Sequence, residues 1–288
     1  TPYSVVTSEL KLLGLVNQPR LFRYLSLYLN VASRIRAGEF ELNHHWNTWQ
    51  LLQHLTRGKS ITHRVTIPEG WNYKEIVERL VKNELGDREM FMSYFRDPNL
   101  LKKTGVPETT TLEGFLFPET YFFSKIDSER QILLTMIRHY RDAYSKEFKK
   151  RAQELGLTEY QILTLASIIE KETGSAEDRP LIAAVFHNRL KRRMRLDSDP
   201  TVIYGIEDFN GNLTRKDLRT PTAYNTYRRY GLPPTPISSP GRDSLHSALF
   251  PAEEVYLYFV ARGDGSSQFS RSLREHNQAV NHFQKNRR

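Results

Sequence analysis

Two stretches near the start of the chain carry the same alternation of apolar and polar positions. "WNTWQLLQHL" at 46–55 and "WNYKEIVERL" at 71–80 both run Trp-Asn, then aliphatic residues at matching offsets, then Leu. Spacings of three and four place those aliphatics on one helical face. Asn47 and Asn72 stand where a helix cap would, and Gln50 and Glu75, three residues on, can close a capping box. Both stretches are therefore predicted to begin helices. Strand-like text precedes each, "GEFEL" and "HRVTIPEG", so the region reads as two strand-helix units punctuated by Gly and Pro.

Further along, a helix is predicted from Asp87 to Asn99, running into Asp97-Pro98, and "KKTGVPETTT" at 102–111 is loop text. "LEGFLFPETYFF" at 112–123 gathers five aromatics around Pro118, with Glu113 and Glu119 on either side. A long amphipathic helix is predicted over about 128–154, stopped by Gly156. Thr158 and Gln161 form another capping box, opening a helix that ends around Gly174. From about 196 onward Pro, Gly, Tyr and Asn dominate, with short strands such as "VYLYFVA" at 255–261, which reads as buried, and long loops of the kind that carry sites. The expected fold class is α+β: a small strand-helix module followed by a mixed α+β part with long loops.

Composition narrows the function classes. At 288 residues the chain can bury a sizeable core and is expected to form two domains. Hydrophobic residues at 39% and charged residues at 26% are the balance of a water-exposed globular protein. No apolar run approaches the roughly 20 residues of a spanning helix. Thr1 is not a natural start and no secretory signal follows it, so the expectation is a fragment whose targeting segment was removed. The absence of Cys excludes disulfides and thiolate metal sites. A net charge of +9 suits a polyanionic partner or an anionic surface, yet basic residues are dense only in "KRRMR" at 191–195 and the "KNRR" tail, as on a solvated basic face. A nucleic-acid reading rests on charge alone, with no reading motif.

Most chemical signatures are missing. "RGKS" at 57–60 resembles the end of a phosphate-binding loop, but Gln53 stands where its first glycine belongs. Neither a zinc-protease His-Glu-x-x-His nor a serine-hydrolase Gly-x-Ser-x-Gly pattern occurs. In "LDSDPT" at 196–201, Asp197 and Asp199 could face a cation, but Pro200 and the missing downstream ligands favour turn chemistry. The histidines show no ligand spacing, His44-His45 reading as a surface turn. No metal and no cofactor is predicted.

One stretch does raise a chemical question. "LASIIEKETG" at 165–174 sets two glutamates near the end of an apolar run. At about 100° per residue, Ile162, Leu163, Leu165, Ala166, Ile168 and Ile169 form one broad arc, with Thr164, Ser167 and Lys171 opposite. Glu170 falls inside the arc, between the directions of Ala166 and Leu163, and Glu172 on its other flank. Glu170 is thus the carboxylate expected to be partly desolvated, which raises a carboxyl pKa toward general-acid range. A frayed helix end with Glu170 in water is the competing expectation. Glu172 reads first as a helix-end partner for Arg or Lys, and second as an orienting group.

Several segments, in order, resemble the endolytic murein transglycosylases, the MltG or YceG-like family. They are "LEGFLFPETY" at 112–121, "LASIIEKET" at 165–173, "FHNRL" at 186–190, "RLDSDPTVIYG" at 195–205, "TPTAYNTYRRYGLPPTPISSPG" at 220–241 and "YLYFVARGDGSSQFSRSLREHN" at 256–277. The resemblance implies a bacterial cell-wall enzyme that cleaves the MurNAc-β-1,4-GlcNAc bond within peptidoglycan strands and leaves 1,6-anhydroMurNAc ends. It further implies a single-pass anchor ahead of this chain in the cytoplasmic membrane, a catalytic part on the outer side, peptidoglycan synthases as partners, and no nucleic acid. On it, residues 1–82 form a LysM-like module, 83–111 a helical connector and 112–288 the catalytic domain. The first Glu of the family's "EKET" segment is taken as catalytic, which is Glu170 here. Glu119, Asn188, Asp199, Tyr204, Tyr224, Asn225, Thr226 and Tyr227 match positions near the family's cleft. Amides and phenols suit sugar hydroxyls and N-acetyl groups, and equally suit loop-stabilising bonds. Glu113 and Glu119, with Phe115 and Phe117, are expected as a substrate-facing wall or as core. The rival expectation is a non-catalytic glycan-binding scaffold of the cell-wall machinery.

Overall fold

The computed structural model describes residues 3–35 and 38–285, so the last three residues of the basic tail, 286–288, lie outside the description. The described residues hold fourteen α-helices and two small antiparallel sheets, an α+β fold arranged around three apolar clusters.

The first cluster joins α1 (Tyr3–Leu12), α2 (Pro19–Tyr28) and α3 (Thr48–Arg57) through Leu10, Phe22, Leu51 and Leu55. Asn47 caps α3 in a complete box with Gln50, as its spacing predicts. "GEFEL" forms no strand and contributes only a bridge from Glu39 to Ile61. Phe40 and Leu42 pack against the helices, and the Glu39 carboxylate accepts from His63 and from the Lys125 N–H, so the segment is held by side chains instead of a ladder.

The second cluster spans β1 (His63–Thr66), α4 (Tyr73–Lys82), α5 (Arg88–Ser93), α6 (Pro98–Thr104), β2 (Thr120–Phe123) and α7 (Glu129–Ala143). Asn72 and Glu75 cap α4 in the predicted box. β1 pairs with β2, His63 opposite Phe123 and Thr66 opposite Thr120, so three helices lie between two partnered strands. Asp97 splits the expected 87–99 helix, because its side chain caps the Leu100 N–H and Pro98 opens α6. The cluster draws on residues from Val65 to Ile137, and positions 82 and 111 fall inside it.

The third cluster surrounds α9 (Glu159–Glu172), with α8 (Lys146–Glu154) before it. The helix expected over 128–154 is two helices, because Ser145 caps α8 by accepting from the Phe148 N–H. After α9 come α10 (Asp178–Lys191), α11 (Asp199–Tyr204), α12 (Arg215–Arg219) and α13 (Arg242–Leu249). The chain closes with the hairpin β3 (Tyr258–Ala261) and β4 (Ser267–Ser270) and then α14 (Leu273–Val280). Only the last four residues of "VYLYFVA" are strand, and Val260 is the one of them buried.

The predicted apolar arc of α9 is fully buried, but so are Thr164 and Ser167, expected on the opposite, polar side. The reason is a loop laid over that side: the Ile237 N–H donates to Ser167 Oγ at 3.0 Å, and Ser238 Oγ donates to the Ser167 carbonyl. The same loop joins the second and third clusters. The Gly70 N–H donates to the Ser239 carbonyl at 2.9 Å and the Ser239 N–H to the Trp71 carbonyl at 2.7 Å. Gly114 lies against Pro236 with φ +83, and a Cβ there would come within 2.7 Å of the proline ring, so both backbone and space require glycine. Among the described residues no helix is long and apolar enough to cross a membrane.

Candidate active site

Glu170 and Glu172 stand at the C-terminal end of α9 and point about 200° apart around its axis. They consequently meet different parts of the molecule. Glu170 is half-buried and accepts a 2.9 Å bond from the N–H of Gly241, the residue that caps α13. The Glu69 carboxylate lies against the same glycine: a Cβ on Gly241 would stand 1.8 Å from Glu69 Oε1. Burial of that end of the side chain, and then the adjacent Glu170 charge, push the Glu69 carboxyl up. Lys171 Nζ donates to the Gly70 carbonyl, and Arg179 pairs with Asp243 at the head of α13. Glu69, Lys171 and Asp243 are exposed on this side, so Glu170 stands at a charged surface with its carboxylate tied to the backbone.

Glu172 opens instead onto a cleft of about 440 Å³ that it shares with Arg189, Asp199, Tyr227, Tyr258 and His276. The wheel expects the more enclosed acid at Glu170, but the acid in the cleft is Glu172. Burial above all pushes its carboxyl up to about 7, and the Asp199 charge adds to this, while a hydrogen bond from Ser198 Oγ and the charge of Arg189 work the other way. Arg189 is itself only 7% exposed. It is held by the Leu257 and Leu196 carbonyls at 2.7 and 2.8 Å and by Asp197 at 3.2 Å, and its guanidinium lies 5.2 Å from the Tyr258 ring centre. Asp197 adopts φ +48, a left-handed turn conformation, so turn geometry and the Arg189 pair account for it.

Of the other residues singled out from the sequence, Asp197, Asp199 and Tyr227 reach this cleft, the last two joined by a 2.7 Å bond from Tyr227 Oη to Asp199 Oδ1. The remaining ones do not line it. Asn188 donates to the carbonyls of Glu254 and Tyr256, tying α10 to the segment before β3. Asn225 is wholly buried and donates to the carbonyls of Asp217, Leu218 and Thr220. Thr226 accepts from the Ser198 N–H and meets Thr201 Oγ1, so it fixes the start of α11. Tyr224 bonds Thr235 and packs edge-on against Tyr204. Glu119 is exposed and accepts from the Thr120 N–H.

Tyr204 donates to Glu113 at 2.8 Å. Glu113 is no substrate-facing wall: it is 2% exposed, takes the Tyr73 N–H at the start of α4, and burial pushes it up to about 7. Phe115 beside it is core. Sequence reasoning missed Glu69, Arg189, Ser198, Tyr258 and His276. All five lie in segments already quoted, but a single Glu, Arg, Ser, Tyr or His without spacing carries no signal of its own.

Comparison with known proteins agrees with this architecture. The profile of the YceG-like family matches residues 1–282. An endolytic murein transglycosylase of Bacillus subtilis is 32% identical over 291 residues, covering 96% of this chain and 80% of that protein. One from Streptococcus pneumoniae is 28% identical over 307 residues, which cover 96% of this chain and 55% of the longer relative. A solved protein from Listeria monocytogenes, described as yceG-like, superposes with a TM-score of 0.68 at 31% identity, over 96% of this chain and 95% of that one.

Proposed function

The chain belongs to the YceG-like family, and on that footing we propose that it is a peptidoglycan lytic transglycosylase acting within glycan strands of the cell wall. Relatives named endolytic murein transglycosylases support the activity. We assign the acid role to Glu172 in place of Glu170. The observation that carries the assignment is the pairing of a carboxyl raised to about 7 with an open cleft of sugar-sized volume. A general acid works best with a pKa near the operating pH.

In the proposed reaction Glu172, protonated, gives its proton to the oxygen leaving C1 of N-acetylmuramic acid as the C1–O bond breaks. The carboxylate so formed takes the proton of the same sugar's 6-hydroxyl while that oxygen bonds to C1. Water is neither consumed nor released, and Glu172 ends protonated. Tethering the nucleophile gives effective molarities that reach roughly 10⁵ M or more, so no second carboxylate is required. Tyr227 and Asp199, bonded to each other at the cleft, hold one another as a polar rim for sugar hydroxyls.

Digestion of purified sacculi tests the reading. Released muropeptides are expected to end in 1,6-anhydromuramic acid, resistant to borohydride and unlabelled in heavy-oxygen water. Reducible, labelled ends would instead indicate a hydrolase, with Asp199 as its second carboxylate. Binding to sacculi without release would favour the glycan-binding scaffold.

A further inference from the structure

One wall of the Glu172 cleft comes from the end of the chain. Leu273, His276 and Val280 recur at i, i+3 and i+7 on α14, and Gln284 follows one turn on; all four line the cleft. A face with that period is ordinarily what a helix buries. Here α14 buries no residue completely and rests on the β3–β4 hairpin, while Leu273 remains 55% exposed. The periodic face is thus turned to the cleft and contributes little core.

Its chemistry is specific. His276 sits one turn from an apolar side chain in each direction, a polar spot between two apolar ones. Its ring stacks on Tyr258 at 5.3 Å with 25° between planes, and its Nδ1 is buried without a hydrogen-bond partner. None of the four cleft-lining residues carries a fixed charge, and burial, followed by the nearby Arg189 charge, pulls the imidazole pKa down, toward the neutral form.

We propose that this face of α14 is the subsite for an N-acetyl group of the amino sugar, with His276 hydrogen-bonding the amide and Leu273 and Val280 holding the methyl. The proposal rests on the murein reading given above. A neutral surface that alternates apolar, polar and apolar fits an acetamido group, which joins a methyl to an amide, better than it fits the lactyl carboxylate or a bare hydroxyl. His276 positions the sugar and takes no proton in the reaction.

The test compares kcat and KM on native glycan strands and on strands stripped of N-acetyl groups, for the unaltered protein, His276→Ala, His276→Gln and Leu273→Ser. The unaltered protein is expected to prefer acetylated strands at least tenfold. His276→Ala should lose most of that preference, through KM more than kcat, His276→Gln should keep part of it, and Leu273→Ser should lose several-fold. Leu273 is exposed, so its replacement tests the subsite even if the His276 variants unfold. Turnover of native strands with the preference intact in both His276→Ala and Leu273→Ser would overturn the subsite alone. Absence of any turnover by the unaltered protein would overturn the murein reading and the subsite with it.

Discussion

The two glutamates that end α9 differ by two positions in sequence and by their whole surroundings in space. Glu170 meets backbone: it holds the N–H of Gly241 and so fixes the head of α13, the helix in closest contact with α9. Glu172 meets a cleft, with a serine hydroxyl, an arginine and an aspartate around it. One carboxylate bonds the head of a neighbouring helix and the other lines a cleft. A helical wheel reports direction relative to a helix's own apolar arc. Which direction stays open is decided by what other elements cover.

Exchanging the two acids should break this comparison most sharply. Glu172→Gln keeps the shape and removes the proton, so turnover of sacculi should fall by at least about a hundredfold with the unfolding midpoint kept or raised. Glu170→Gln should cost less than about tenfold, because the amide oxygen can still accept from Gly241. The reverse ranking would return the acid role to Glu170.

Next in size is the pH profile. An acid with a pKa near 7 must be protonated to act, so activity should fall about tenfold per pH unit above it. Glu170→Gln should retain that limb, and the residual activity of Glu172→Gln should lack it.

Stability gives a third measure. Glu113 and Glu172 both rise from the usual 4.5 to about 7 on folding. The folded chain then holds protons that the unfolded chain releases, so stability should decline as pH rises from about 4.5 to about 7. A shift of that size corresponds to at most roughly 3 kcal/mol per group. Urea midpoints at pH 5 and pH 8 should show the decline, and Glu113→Gln should flatten it without touching the alkaline limb of activity.

The smallest effect is expected at Gly241. Its φ of −74 suits any residue, and the atoms nearest an added Cβ belong to the movable end of Glu69. Gly241→Ala should therefore swing Glu69 aside and change turnover less than about threefold. A loss comparable to that of Glu172→Gln would show that the Glu170 side of α9 takes part in the reaction.

What was legible in the sequence was local. Asn47, Asn72 and Thr158 each close their bonds within three residues, so their helix starts could be read directly. Ser145 is equally local, but the apolar period continuing past it hid the break. The partnership of β1 with β2 could not be read, since Thr66 and Thr120 meet across 54 positions. At the site, the family motifs brought Asp199 and Tyr227 to the cleft, yet Asn188, Tyr224 and Asn225 turned out to spend their polar groups on the protein itself. An amide that could bind a sugar and one that straps a loop are the same residue in a sequence. Only the closed bond separates them.

The reciprocal pairing of residues 70 and 71 with Ser239 has a dynamic consequence. Both amide hydrogens are held by carbonyls from the opposite cluster, and neither belongs to a helix or to a named strand. Exchange of Gly70 and Ser239 with deuterium then requires the second and third clusters to part, without requiring either to unravel. Those two amides form a clock for the separation of the halves. If glycan must wedge the halves apart to enter, both should exchange faster in its presence while the amides inside α9 keep their pace.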